Sequence, residues 1–202
     1  MEFILYSSTD SDRSRCVEWA LNYKNIDYQR IEIGPDERMS TYLRVNPFAY
    51  LPTLSVDGLY IKEPLAILEC LEELFPSKPL FGQNVFDRAC IRQICEYVVT
   101  TIQAPLQRSA IKMLRQEISE EQLTEYRRDW VYEGLVKLKS QLCNQSQFMV
   151  SHYFSLADIF LAVTYQQGRL FGVNALPFYE RHLQWLYQTP DICASEPAKL
   201  AM

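Results

Sequence analysis

The chain contains only two histidines, His152 and His182, and no pair of cysteines at C-x-x-C spacing. Its cysteines stand apart, at 16, 70, 90, 95, 143 and 193. With no cluster of ligand-type residues, no metal site is expected. The scattered thiols fall inside helical patterns, as reduced, partly buried cysteines do, and imply a cytoplasmic protein without a disulfide framework. No apolar run approaches the roughly 20 residues that span a bilayer. The first residues, MEFILYSSTD, lack a basic stretch followed by a long apolar run, so no signal peptide is expected. A net charge of −5 and a pI near 5.2 exclude nucleic acid or an anionic membrane as the main partner. Internal repeats and low-complexity segments are absent as well.

What remains is an ordinary globular composition: 202 residues, 48% apolar and 22% charged, enough to bury a sizeable core. Phe3 to Tyr6 reads as a short strand, followed by a polar loop from Ser7 to Asp12 and a helix from about Ser14 to Asn22. Tyr28 to Ile33 alternates polar and apolar residues and reads as a second strand. Pro35 breaks the chain, and a short helical piece is expected around Ser40 to Leu43. The stretch from Asn46 to Ile67 then organises this half. Leu51 to Val56 is a strand with Pro52 at its start, where a strand tolerates proline. Asp57-Gly58 is a strong two-residue hairpin signal, and Leu59 to Ile61 returns as the next strand. Pro64 opens an apolar helix at a position where its missing N–H costs nothing structurally, and that helix ends near Phe75. The order β-α-β-α-β-β-α predicts an α/β layer on a small mixed sheet, over residues 1–78.

Residues 79–84 read as a linker, and 85–202 as an all-α domain. Ile91, Ile94, Cys95, Val98, Val99 and Ile102 form one apolar stripe at helical spacing. Ser119 to Gln122 is a capping box opening a helix through Leu142, with Leu123, Tyr126, Trp130, Leu138 and Leu142 inward. Ser155 to Asp158 is a second box, with Phe154 and Ile159 placed for a hydrophobic staple. The helix it opens is apolar nearly all round and should be the buried centre. A last helix lies between Pro177 and Pro190.

Three of these motifs, taken in order, resemble the glutathione transferases across nearly the whole chain. Leu51-Pro52-Thr53-Leu54 looks like that family's cis-proline loop, Glu63-Pro64-Leu65-Ala66-Ile67 like its acid-Ser-x-Ala-Ile segment, and Ser155-Leu156-Ala157-Asp158 like its helix-capping motif. Asn46-Pro47, Asp87-Arg88-Ala89, and Ile102-Gln103 with Pro105-Leu106-Gln107 are similar to the zeta class, the maleylacetoacetate isomerases. The resemblance implies a thioredoxin-like N-terminal domain, an all-helical C-terminal domain and a homodimer. It further implies glutathione as co-substrate for isomerisation of, or transfer to, a small electrophile, with or without a carboxylate.

It also assigns roles residue by residue. The class signature of two serines, Cys, Ser, Trp, Arg is replaced here by Ser11-Asp12-Arg13-Ser14-Arg15. Ser11 would stabilise the glutathione thiolate, with Ser14 as the competing hydroxyl; each is equally a helix N-cap. Cys16, near the same helix start, reads as a small apolar residue more readily than as a nucleophile. Arg13 could attract an anionic substrate or simply be solvated. Leu51 would offer backbone N–H and C=O groups, beside Pro52, and Glu63 would accept from the ligand's amino group. Gln107 joins the cofactor-binding set. Arg169 would hold a substrate carboxylate, or merely satisfy the end of its helix. Pro64 departs from the family serine and removes two donors to one carboxylate, so weakened glutathione binding is expected. A glutathione transferase-fold protein acting through protein contacts is the alternative that Pro64 raises. A thioredoxin-type oxidoreductase is disfavoured by the missing cysteine pair.

Overall fold

The computed structural model describes residues 1–38, 40–106, 111, 118–143 and 146–197. The chain divides into two compact units, Met1–Pro79 together with the chain from Thr189, and Leu80–Gln188.

The first unit is a four-stranded mixed sheet. Strands β1 (Phe3–Ser7), β2 (Gln29–Glu32), β3 (Thr53–Val56) and β4 (Leu59–Lys62) lie in the order β2-β1-β3-β4. The β1/β2 pair is parallel and the other two are antiparallel, as expected of a thioredoxin-like layer. Asp57 and Gly58 both take positive φ, 48° and 87°, which is the two-residue turn their sequence signals. Helices α1 (Asp12–Tyr23) and α3 (Pro64–Leu74) cover one face, burying Leu5, Val17, Leu21, Leu54, Ile67 and Leu71 almost completely. Ile33, Tyr42 and Leu51 form a cluster with Tyr6 on the other side of β1.

Three local readings need correction here. Helix α1 begins at Asp12, two residues early, because Ser11 is its N-cap and accepts from the Ser14 N–H at 3.2 Å. Pro35 starts a short helix, α2 (Pro35–Arg38), since its fixed φ suits a first helical position. A 3₁₀ turn follows at Thr41–Arg44. The last helix of the chain, α8 (Pro190–Ser195), is separate from the one before it, because Pro190 restarts the ladder with Thr189 as N-cap. It docks on α1, where Trp19 Nε1 donates to Ser195 Oγ at 3.1 Å and Arg15 pairs with Glu196 at 2.8 Å.

The second unit is all helical: α4 (Val85–Glu96) running on through a π-helical segment (Tyr97–Gln103), α5 (Glu120–Leu138), α6 (Leu156–Leu170) and α7 (Pro177–Gln188). The stripe from Ile91 to Ile102 is buried throughout, and every residue of α6 from Leu156 to Tyr165 is buried. The capping box at Ser119 forms as read, with Gln122 N–H donating to Ser119 Oγ at 3.2 Å. The inner face of α5 differs from the reading. Leu123, Val131, Leu135 and Leu138 point inward, whereas Tyr126 and Trp130 stack on each other, 5.9 Å between ring centroids, on a more exposed side. Aromatic pairs at i, i+4 stabilise a helix surface without burial, which is why periodicity alone misplaced them. None of the described helices is long and apolar enough to cross a membrane.

Helices α5 and α6 approach closely at Gly168, where an added Cβ would lie 2.8 Å from Val131 Cγ1. Val131 is buried and rotamer-stiff, so it cannot yield. Gly168→Ala is expected to destabilise the protein by about 1–3 kcal/mol despite alanine's better helix propensity, read as a lower urea midpoint.

Candidate active site

The register of the sheet assembles the site in the first unit. Tyr6 pairs with Thr53, and Thr53 with Lys62. One step further along both ladders, the end of β1, Pro52 and Glu63 meet at the same end of the sheet. There the loop 7–11 leaves β1, the Leu51–Pro52 peptide bond is cis, and Glu63 leads into α3. Two helix N-termini, those of α1 and α3, thus start side by side. Arg13 Nη1 lies 3.8 Å from Glu63 Oε2 and joins their first turns.

Each of these residues has a local cause. Ser11 adopts extended backbone at φ −104° and is partly exposed. Because its oxygen accepts from the Ser14 N–H, its own proton remains to be donated elsewhere. Ser14 is fully buried and its hydroxyl has no partner. Cys16 is fully buried beside it, on the inner face of α1. Leu51 is buried in the Tyr42 cluster. Its approach is fixed by Asn46, whose side chain donates to Tyr50 O at 2.8 Å and accepts from Phe48 N at 3.1 Å, and by Tyr42, whose hydroxyl donates to the same carbonyl at 2.9 Å. Glu63 has φ 68° and ψ 130°, a conformation that costs a non-glycine residue about 1–3 kcal/mol. Pro64 is the first residue of α3 and is buried. The N–H groups remaining in that first turn belong to Leu65 and Ala66.

A polar network without any local sequence signature holds the loop 7–11 in place. Ser7 Oγ donates to Glu18 on α1, and Arg30 Nε donates to the same carboxylate at 2.9 Å. Arg30 also pairs with Glu32 at 2.6 Å, and Glu32 accepts from the Thr9 N–H at 2.9 Å. On the other side Asp10 accepts from Ser8 Oγ at 2.5 Å and from Arg38 at 2.6 Å. Burial would raise the Asp10 carboxyl, but the Ser8 hydroxyl and the Arg38 guanidinium prevail and hold it below the usual carboxylate range. Glu32 is likewise held low against burial, by Thr9 and Arg30. Arg30 meets Glu18, and Arg38 meets Asp10, through tertiary contacts around the parallel β1/β2 crossover that no local pattern encodes.

Arg169 lies in the second unit, where its Nη1 donates to Val173 O at 2.5 Å and its Nε faces Glu180 at 3.8 Å. It closes the C-terminus of α6 with Gly172, whose φ is 89°. Gln107 lies outside the described residues. In the second unit Asp158 is the buried polar centre. Its carboxylate accepts from Ser155 N and Ser155 Oγ, both at 2.8 Å, from Met149 N at 2.8 Å, and meets His182 Nε2 at 2.9 Å.

Comparison with known proteins places this arrangement. Residues 5–79 match the family model described as glutathione S-transferase, N-terminal domain. The maleylacetoacetate isomerase of Dictyostelium discoideum is 33% identical over 204 residues, covering 96% of this chain and 93% of the relative. The probable maleylacetoacetate isomerase 2 of Drosophila melanogaster is 32% identical, covering 87% of this chain and 78% of that protein. Among solved structures, a bacterial zeta-class maleylpyruvate isomerase superposes with a TM-score of 0.88 at 21% identity, covering 98% of both chains. The maleylacetoacetate isomerase of Methylobacterium extorquens AM1, solved with malonate and glutathione, gives 0.88 at 24% identity, covering 98% of this chain and 100% of that one. These structural likenesses establish the shared fold, and the sequence relatives establish the family. The chain belongs to the glutathione S-transferases, with the maleylacetoacetate isomerases of the zeta class.

Proposed function

We propose that this protein is a glutathione-dependent cis–trans isomerase or transferase for a small electrophile, one that carries a carboxylate if it follows its relatives. The reading includes a cytoplasmic homodimer, on family grounds. What carries it is the meeting of the Ser11 cap, the cis Leu51–Pro52 bond and Glu63 at one end of the sheet, in a chain whose relatives are named maleylacetoacetate isomerases.

The residues fit the tripeptide at all but one point. Leu51 offers its backbone N–H and C=O in strand fashion to the cysteinyl unit. Glu63, with its carboxylate more than half exposed beside Arg13, accepts from the amino group. Pro64 has neither hydroxyl nor N–H for the γ-glutamyl carboxylate. The N–H groups of Leu65 and Ala66 and the α3 dipole supply the remaining attraction. Ser11 donates its free proton to the thiolate, and the α1 N-terminus adds positive potential. Ser11 is supported over Ser14 by exposure, since Ser14 is sealed inside. When bound, glutathione supplies a thiolate that adds reversibly to an activated double bond. The contacts of Arg169 support its role at the helix end more than a hold on substrate.

The test is turnover of maleylacetoacetate with and without glutathione. Activity is expected only with glutathione. Pro64→Ser should lower the KM for glutathione at least tenfold, because charge-assisted hydrogen bonds contribute roughly 1.5–3 kcal/mol each. Absence of glutathione-dependent turnover in both proteins would reject the reading.

A further inference from the structure

We propose that Arg13 receives the α-carboxylate of the γ-glutamyl unit, the group that Pro64 leaves without its two donors. This inference rests on the glutathione reading and names the residue that lets this chain hold the zwitterionic head of the tripeptide.

Arg13 is the second residue of α1 and lies in its first turn. A cation there opposes the helix dipole, which favours acidic side chains at that end. The helix itself therefore gives no reason for an arginine at this position. Nor is Arg13 a solvated surface charge, since its side chain is only 13% exposed. Arg15, two residues on, serves a different purpose: it pairs with Glu196 at 2.8 Å and docks the last helix on α1.

What Arg13 does reach is the residue before Pro64. Its Nη1 lies 3.8 Å from Glu63 Oε2, beyond hydrogen-bond length, and the Glu63 side chain is 56% exposed. A pair that loose and that wet contributes little to stability, so it parts readily for a ligand. The two residues set a positive and a negative group side by side, one at the start of α1 and the other just before α3.

The γ-glutamyl unit carries the complementary pair, an ammonium and a carboxylate on one carbon. Glu63 takes the ammonium, and the carboxylate is left for Arg13. Pro64 supplies neither hydroxyl nor N–H, so the first turn of α3 begins its donors only at Leu65. A carboxylate held there beside Glu63 would meet a like charge. The Arg13 guanidinium offsets that repulsion and presents a planar fork of donors suited to a carboxylate.

The experiment is a calorimetric titration with two tripeptides, glutathione and N-(4-aminobutanoyl)-cysteinylglycine, which is glutathione without that carboxylate. The natural protein is expected to bind the second at least about tenfold more weakly, as loss of a charge-assisted contact requires. Arg13→Gln should bind glutathione at least about tenfold more weakly and hardly distinguish the two. Arg13→Lys, which keeps the charge without the fork, should recover part of the loss. Equal binding of both tripeptides by the natural protein would overturn the proposal. So would undiminished discrimination in Arg13→Gln, and either result leaves the glutathione reading standing. If neither the natural protein nor Pro64→Ser binds glutathione, that reading falls and this proposal with it.

Discussion

Ser11→Ala is expected to lower glutathione-dependent turnover by about a hundredfold to a thousandfold, the usual loss when one preorganised donor to a developing or held anion is removed. The KM for glutathione should change little, because the proposed reading assigns binding of the tripeptide to Leu51, Glu63 and the start of α3. Ser11 is also the N-cap of α1, so alanine should cost about 1 kcal/mol of stability. A melting curve alone would therefore not separate the two roles. The pH profile does. Without the hydroxyl, the pH of half-maximal turnover should move up toward the pKa of a free thiol, about 8.5. Ser11→Gly, which keeps most of the capping preference, should show the same upward shift with little loss of stability. A variant that loses stability but keeps both rate and profile would reduce Ser11 to a cap.

The largest effect on stability should come from Asp158→Ala in the helical unit. The carboxylate satisfies two backbone N–H groups, one hydroxyl and His182, all buried. Alanine leaves those donors without a partner in the interior and opens the start of the most buried helix. A loss of roughly 3–5 kcal/mol is expected, as for breaking a buried charged pair, against a total stability on the order of 5–15 kcal/mol. Denaturant titration measures it. Asn, which keeps one acceptor, should recover part of the loss. A cost under about 1 kcal/mol for Asp158→Ala would mean that water replaces the carboxylate and that the network contributes little.

How much of this could be read before the coordinates depends on whether the cause is local. Asp57-Gly58, Pro64 at a helix start and the box at Ser155 to Asp158 were legible because their conformational demands act over four residues or fewer. The cis bond before Pro52 came only through resemblance, since its sequence allows either isomer. The role of Asp158 was half legible. Its capping of Ser155 is local, but its contact with His182 spans 24 residues and has no pattern. The clamp of Glu18, Arg30 and Arg38 on the loop 7–11 was invisible for the same reason. The outward side of Tyr126 and Trp130 was misjudged because a large ring scores as apolar whether it is buried or stacked at the surface. Ser11 and Ser14 were indistinguishable as caps until the start of α1 fixed which one precedes the first turn. That distinction supports Ser11 in the proposed role, because the Ser14 hydroxyl faces no solvent.

The central claim, that the end of the sheet between Ser11, Pro52 and Glu63 holds glutathione, is tested most directly by melting the protein with and without millimolar glutathione. A ligand that binds the native state adds RT ln(1 + [L]/Kd), about 2.7 kcal/mol at a hundredfold excess over Kd. Each kcal/mol corresponds to about 2–4 °C for a chain of this size. An upward shift is expected in the natural protein, smaller than in Pro64→Ser, where the missing hydroxyl and N–H are restored. An unchanged melting temperature in the natural protein, with or without a response in Pro64→Ser, would contradict the account.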